Sequence, residues 1–257
     1  MLVRFRPGLF ALVLAAASAC GSDSATAPDV TPATLDQALA ELSIPAIGSA
    51  SGVFFDAGAT APALLASRCP YVAASQSFVC TPYSASGVTI DQAFTLRTAS
   101  GATQSAFDAM TTAAVSVNTT IAGTETASGS DLTVDGQQTL TLSGLLTGLH
   151  TLNGTSTLTL AGTFSDGTTS FPIDVTVTTS IANLVLPANT TPGAPIWPTS
   201  GTVTVQASGT IADIPTGTQK LTMIFDGTST VDVTVTGNGI SKSCKVDLST
   251  ATDPICP

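Results

Sequence analysis

Five cysteines, one histidine and seventeen carboxylates are the residues of this chain with the types to do chemistry. Cys69, Cys80, Cys244 and Cys256 come as two local couples. Four cysteines allow three pairings, and short loops close more readily than long ones. That favours disulfides Cys69–Cys80 and Cys244–Cys256, each closing a loop of about a dozen residues and worth roughly 3 kcal/mol in the chain-entropy picture. Zinc is the alternative use of such thiols, but no Cys-x-x-Cys occurs and the single imidazole, His150, lies far away in sequence. His150 sits between Leu149 and Thr151 in a predicted strand, with no Gly-x-Ser-x-Gly elbow to supply a nucleophile and no His-Glu-x-x-His to supply a metal site. Phosphate-cradling glycine loops are also missing. Asp174 and Asp232 could share the polar face of one sheet, and a glycosidase needs two carboxyls about 5 to 9.5 Å apart. Most other Asp stand in turns, where the side chain bonds local backbone, and no Asp-x-Asp-x-Asp-Gly calcium loop is present. The expectation is a chain with no catalytic residue, no metal and no cofactor: not an enzyme.

Composition narrows the partners. Only 9% of the 257 residues are charged, against roughly 25% in ordinary soluble domains. Forty-four Thr and 27 Ser keep the surface wet instead. The net charge of −10 makes nucleic acid and anionic membrane faces poor partners.

Arg4 and Arg6 precede an apolar run from Leu9 to Ala17, and Ala17-Ser18-Ala19 lead into Cys20. A basic start, a short apolar stretch and small residues before a cut form a secretory signal. The stretch is too short for a hydrocarbon core that takes about 20 residues. With the cysteine directly after the small residues, the segment resembles a bacterial lipoprotein signal, although Ala17 stands where a larger aliphatic residue is usual. The resemblance implies that residues 1–19 are removed and that Cys20 is the lipidated N-terminus. Gly21 follows, not the Asp of inner-membrane retention, so the implied address is the cell envelope, at the outer membrane. Loss of Arg4 and Arg6 leaves five basic against seventeen acidic residues, a balance of −12. Residues 20–33 read as the lipidated cysteine and a polar, Pro-containing tether that cannot repay its own ordering entropy. Residues 34–257 read as a single β-rich domain, similar in general character to uncharacterised β-rich bacterial lipoproteins.

Within that domain Thr34 and Gln37 have capping-box spacing, and Leu35, Leu39 and Leu42 share one helical face before Pro45. They predict one short N-terminal helix. A weaker helical pattern covers Thr103 to Ala114, with Phe107 and Met110 three apart. Elsewhere the period is two, as in Thr139-Leu140-Thr141-Leu142, Thr157-Leu158-Thr159-Leu160 and Thr202-Val203-Thr204-Val205. This places apolar residues on one face and Thr on the other. Strands are predicted at 76–81, 88–98, 113–126, 131–142, 149–163, 171–184, 200–212, 218–226, 230–237 and 242–248. Asp166-Gly167, Asp226-Gly227 and Asn238-Gly239 predict two-residue hairpins. Asp135-Gly136 and Asn153-Gly154 fit either a turn or a glycine within a strand. The fold class is all-β, an antiparallel meander forming a β-sandwich or barrel-like sheet. A Pro-rich stretch from Pro187 to Pro198 either moves the chain to a second sheet or caps a barrel end with Trp197. Sequons at Asn118, Asn153 and Asn189 follow from the Thr-rich composition and carry no further meaning in a bacterial lipoprotein.

Two functions follow as expectations. One is a lipid-anchored envelope protein with a structural or interaction role. The other is a carrier that holds a small apolar ligand in a barrel-like cavity, whose wall would tolerate small residues such as Ala122, Gly144 and Ala161. A bilayer-spanning barrel is rejected, because aromatic girdles are not supplied by 5% aromatics.

Overall fold

The computed structural model describes residues 69–247 apart from 86, 127–129, 148, 166–169, 188–196 and 238. The lipidation site at Cys20, the tether, the helix predicted after Thr34, and Cys256 lie outside the described residues. Those described form thirteen strands and no helix: β1 Tyr71–Val72, β2 Ser77–Val79, β3 Tyr83–Ala85, β4 Val88–Thr98, β5 Thr103–Gln104, β6 Thr112–Glu125, β7 Asp131–Ser143, β8 Leu149–Ser165, β9 Ser170–Pro187, β10 Ser200–Ile211, β11 Ile214–Phe225, β12 Thr230–Gly237 and β13 Ile240–Asp247. All pair antiparallel in one sheet, in the order β1-β2-β4-β6-β7-β8-β9-β10-β11-β12-β13, with β3 and β5 beside β4. The expected meander is present.

Three expectations are corrected. The helical pattern at Thr103–Ala114 is instead the short β5, a turn and the start of β6. Asp108 Oδ1 accepts the Met110 amide, and the Asp108 amide donates to Thr112 Oγ1, closing that turn locally. Phe107 packs on the core while Met110 is 83% exposed, so the two never share a face. The Pro-rich stretch joins β9 to β10, which are hydrogen-bonded neighbours, so it carries the chain to no second sheet. At Asp226-Gly227 the link between β11 and β12 has four residues, not two. Asp226 Oδ1 accepts from both the amide and the hydroxyl of Thr228, an Asx turn that needs the extra length.

Alternation sets the two faces. On β7, Leu132, Val134, Leu140 and Leu142 are buried, while Asp131, Thr133, Asp135 and Thr139 are exposed. The same parity holds on β12, where Val231, Val233 and Val235 are buried. Buried side chains fall into two clusters. The larger runs from Phe78 and Phe94 through Leu152, Leu184 and Val203 to Cys244 and Val246. The smaller holds Val88, Leu132, Val134, Leu160, Phe164 and Ile173 at the other end of the long strands.

The apolar side is the inner side of a curled sheet. Gly123, Gly136, Gly154, Gly162 and Gly209 all have the parity of the buried residues. Missing side chains on one face let strands bend toward it. At Gly123 (φ +154°) and Gly209 (φ +149°) a side chain would strike neighbouring backbone, at Gly87 and the start of β4 and at Asp174 on β9. Register shifts at Leu152/Gly154 and Gly209/Thr210 add the local twist of bulges. Asn153-Gly154 is thus a bulge and Asp135-Gly136 lies in an unbroken strand. Ala122 and Ala161 have the outer parity and Gly144 lies in the β7–β8 connection, so none of the three lines the interior.

Candidate functional site

The inner face is not uniformly apolar. One row of directly opposed residues crosses it as Gln92, Thr119, Gln138, Ser156 and Thr179, on β4, β6, β7, β8 and β9. The row continues as Val205, Leu221, Val235 and, at the last strand, Lys242. Gln92 Nε2 donates to the buried Thr119 Oγ1 at 3.3 Å. Gln138, Ser156 and Thr179 are partly exposed, and their side chains make no hydrogen bond to any described residue. Two residues further along each strand runs a second row: Ile90, Ile121, Gly136, Leu158, Val177 and Ala207. All but Gly136 are partly exposed. Strand geometry sets these rows roughly 7 Å apart, with neighbours about 4.8 Å apart within a row. A band that is polar along one edge and apolar along the other therefore lies between the two core clusters and is only partly buried. It holds no charged group from Gln92 to Thr179.

The outer face is a carpet of hydroxyls and amides. Asn118, Thr139, Thr155, Ser180, Thr204, Thr222, Thr234 and Ser243 form one eight-strand row. Cross-strand hydrogen bonds tie parts of the carpet, Thr139 Oγ1 to Asn118 Oδ1 at 2.9 Å and Thr159 to Thr176 at 3.2 Å. A shallow depression of about 470 Å³ lies at its far end, lined by Gln206, Thr218, Lys220, Thr236 and Ser241 among others. Apolar inside and polar outside is the reverse of a bilayer-spanning barrel, whose outward band must be apolar. Among the described residues no helix is long and apolar enough to cross a membrane.

The residues with chemical potential are not brought together. Asp174 and Asp232 both have the outer parity, but β10 and β11 lie between their strands. On β11 they fall at the levels of Pro215 and Ile224, nine positions apart. At about 3.4 Å per residue that is about 30 Å, far beyond a glycosidase pair. Asp232 is instead ion-paired to Lys245 at 2.8 Å, both side chains well exposed. His150 opposes Leu186 on β9. It is partly buried, and burial lowers its pKa from the usual 6.5. Its ring has no hydrogen bond to a described residue. Trp197 is half-buried beside the buried Pro198, and the Pro198 carbonyl accepts from the Gly227 amide. Among the described residues no group of three His, Cys, Asp or Glu could hold a metal.

Cys69 and Cys80 are bonded across the β1–β2 hairpin, with Cα atoms 4.2 Å apart. Cys244, buried on β13, is in a disulfide, and Cys256 lies outside the described residues. The mixed inner band is the feature that sequence reasoning missed. Its signal would have been the interruption of each apolar register at Gln92, Gln138 and Ser156. No protein-family model, curated protein or solved structure matches the chain.

Proposed function

We propose that the chain is a lipid-anchored protein of the cell envelope, held at the outer membrane through Cys20, with a non-catalytic structural or interaction role. The observation that carries the role is the outer carpet, in which eight successive strands present hydroxyl or amide side chains in register. Such a face is wetted mainly by uncharged groups and offers hydrogen bonds over a wide area. The anchor rests on the lipoprotein-like signal ending at Cys20. The deciding experiment is metabolic labelling with a clickable palmitate analogue in a bacterial host. Wild type should take up label and fractionate with outer membranes, and Cys20→Ala should be folded, unlabelled and soluble. A Cys20→Ala protein that stays wholly with membranes overturns the anchor.

The second reading, a carrier of a small ligand, is favoured by the partly exposed band between the two core clusters. Ile90, Ile121, Leu158 and Val177 are only partly buried there, although the last three pack against the edges of the core clusters.

A further inference from the structure

We infer that the inner band is a binding site for an uncharged amphiphile, a molecule with hydroxyl or amide groups along one edge and hydrocarbon along the other. The inference rests on the carrier reading and adds to it the place and chemistry of the ligand. Gln138, Ser156 and Thr179 occupy consecutive places in one row, about 10 Å end to end at strand spacing. Together they offer two hydroxyls and a carboxamide, groups that both donate and accept. None of the three is engaged by another described side chain or backbone group, so their bonding capacity is directed at solvent or at a guest. Side chains facing inward between two apolar clusters have a use for such capacity only if something polar meets it.

The adjoining row supplies the hydrocarbon contact. Ile121 and Leu158 flank the buried Gly136 and close over the place of its absent side chain, making one continuous apolar surface: a Cβ there would meet Leu158 Cδ1 at 3.1 Å and Ile121 Cβ at 3.4 Å. Val177 and Ala207 extend this apolar edge across β9 and β10. Charge decides the class of guest. Across the five strands of the polar row the band has neither cation nor anion. The inward-facing charged residues, Glu125 and Lys242, stand at a strand end and at the last strand. An anionic headgroup would find no counter-charge there, and the chain's net charge of −10 repels it further. A neutral head such as a glycerol or an amide loses nothing by leaving water if the row takes over its hydrogen bonds.

The test uses the full chain carrying Cys20→Ala, so that no covalent lipid competes, with monooleoylglycerol and oleate as probes. Binding is read by native mass spectrometry and by titration calorimetry. Monooleoylglycerol should bind and oleate should bind at least tenfold more weakly. Thr179→Val removes one hydroxyl with little change of shape and should weaken monooleoylglycerol about fivefold, the effect of one hydrogen bond. Gln138→Leu should act similarly, and Thr157→Val, on the outer face of β8, should change nothing. If neither probe binds, the carrier reading and the site fall together. Binding that ignores Thr179→Val and Gln138→Leu overturns the site while leaving the carrier reading. Oleate binding as tightly as monooleoylglycerol overturns the assignment of an uncharged guest.

Discussion

The carboxamide of Gln219 lies over the backbone of Gly237, in the space that any side chain at position 237 would occupy. The two oppose each other on β11 and β12. Gln219 is buried, and its Nε2 donates to the Thr216 carbonyl at 3.1 Å. What fills the space at 237 is thus a neighbouring side chain and no backbone. Gly237→Ala should expel the carboxamide and destabilise the protein by about 1–3 kcal/mol, the usual range for overpacking. In a Gln219→Ala background the same change should have less effect. Chemical denaturation of the four proteins of that cycle measures the coupling, and additive effects would refute it.

Ala212 and Asp213 form the two-residue link between β10 and β11, both with positive φ, at 52° and 62°. Two such angles are those of a type I′ turn, which favours Asn-Gly. Left-handed backbone disfavours a residue such as alanine by about 1–2 kcal/mol. Replacing Ala212-Asp213 by Asn-Gly should stabilise the protein by about 1 kcal/mol and raise the thermal midpoint. A lower midpoint would show that the turn is held by contacts of Ala212 or Asp213.

Lys242 ends the inner row, on the last strand of the described sheet, with the parity of Cys244 and Val246. An inward-pointing charge on an outermost strand is a recognised guard against strand addition by a second molecule. Lys242→Val should leave the protein folded and increase its self-association. Sedimentation velocity at several concentrations would reveal this, and a distribution identical to wild type at all of them would remove the guarding role.

Burial lowers the pKa of His150 in the folded protein. As pH falls through the ordinary value of 6.5, the unfolded chain takes up a proton that the folded chain resists, so stability is lost on acidification. At higher pH the ring is neutral in both states and contributes no slope. Unfolding free energies of wild type and His150→Gln should converge or cross between pH 7 and pH 5, with the steeper fall in wild type. Parallel curves would mean that the ring is fully hydrated.

Much of the sheet is legible in the sequence because Thr alternates with Leu, Val or Ile. That pattern marks both the strand and its inner face, and β4 falls on its predicted residues, 88–98. Cys69–Cys80 is legible from loop length alone. The Ala212-Asp213 turn is not, since neither residue advertises positive φ. The polar inner row is illegible for a different reason. Where both faces of a strand carry Thr and Ser, as around Ser156, one strand does not tell which hydroxyl faces in. Only the pairing of Gln92 through Thr179 across five strands makes them a row. The four-residue link after Phe225 escaped because Asp-Gly also suits an Asx turn.

Sequential pairing has a kinetic consequence. From β7 to β13 each strand finds its partner in the strand just before it, so no pairing there waits for a distant part of the chain. The entropy of closing each hairpin is small, and sequence-local contacts favour fast folding. Such a sheet can lengthen one strand at a time as the chain emerges N-terminus first, each new strand covering the edge left open by the last. Its growing end is unpaired for only as long as one hairpin takes to form.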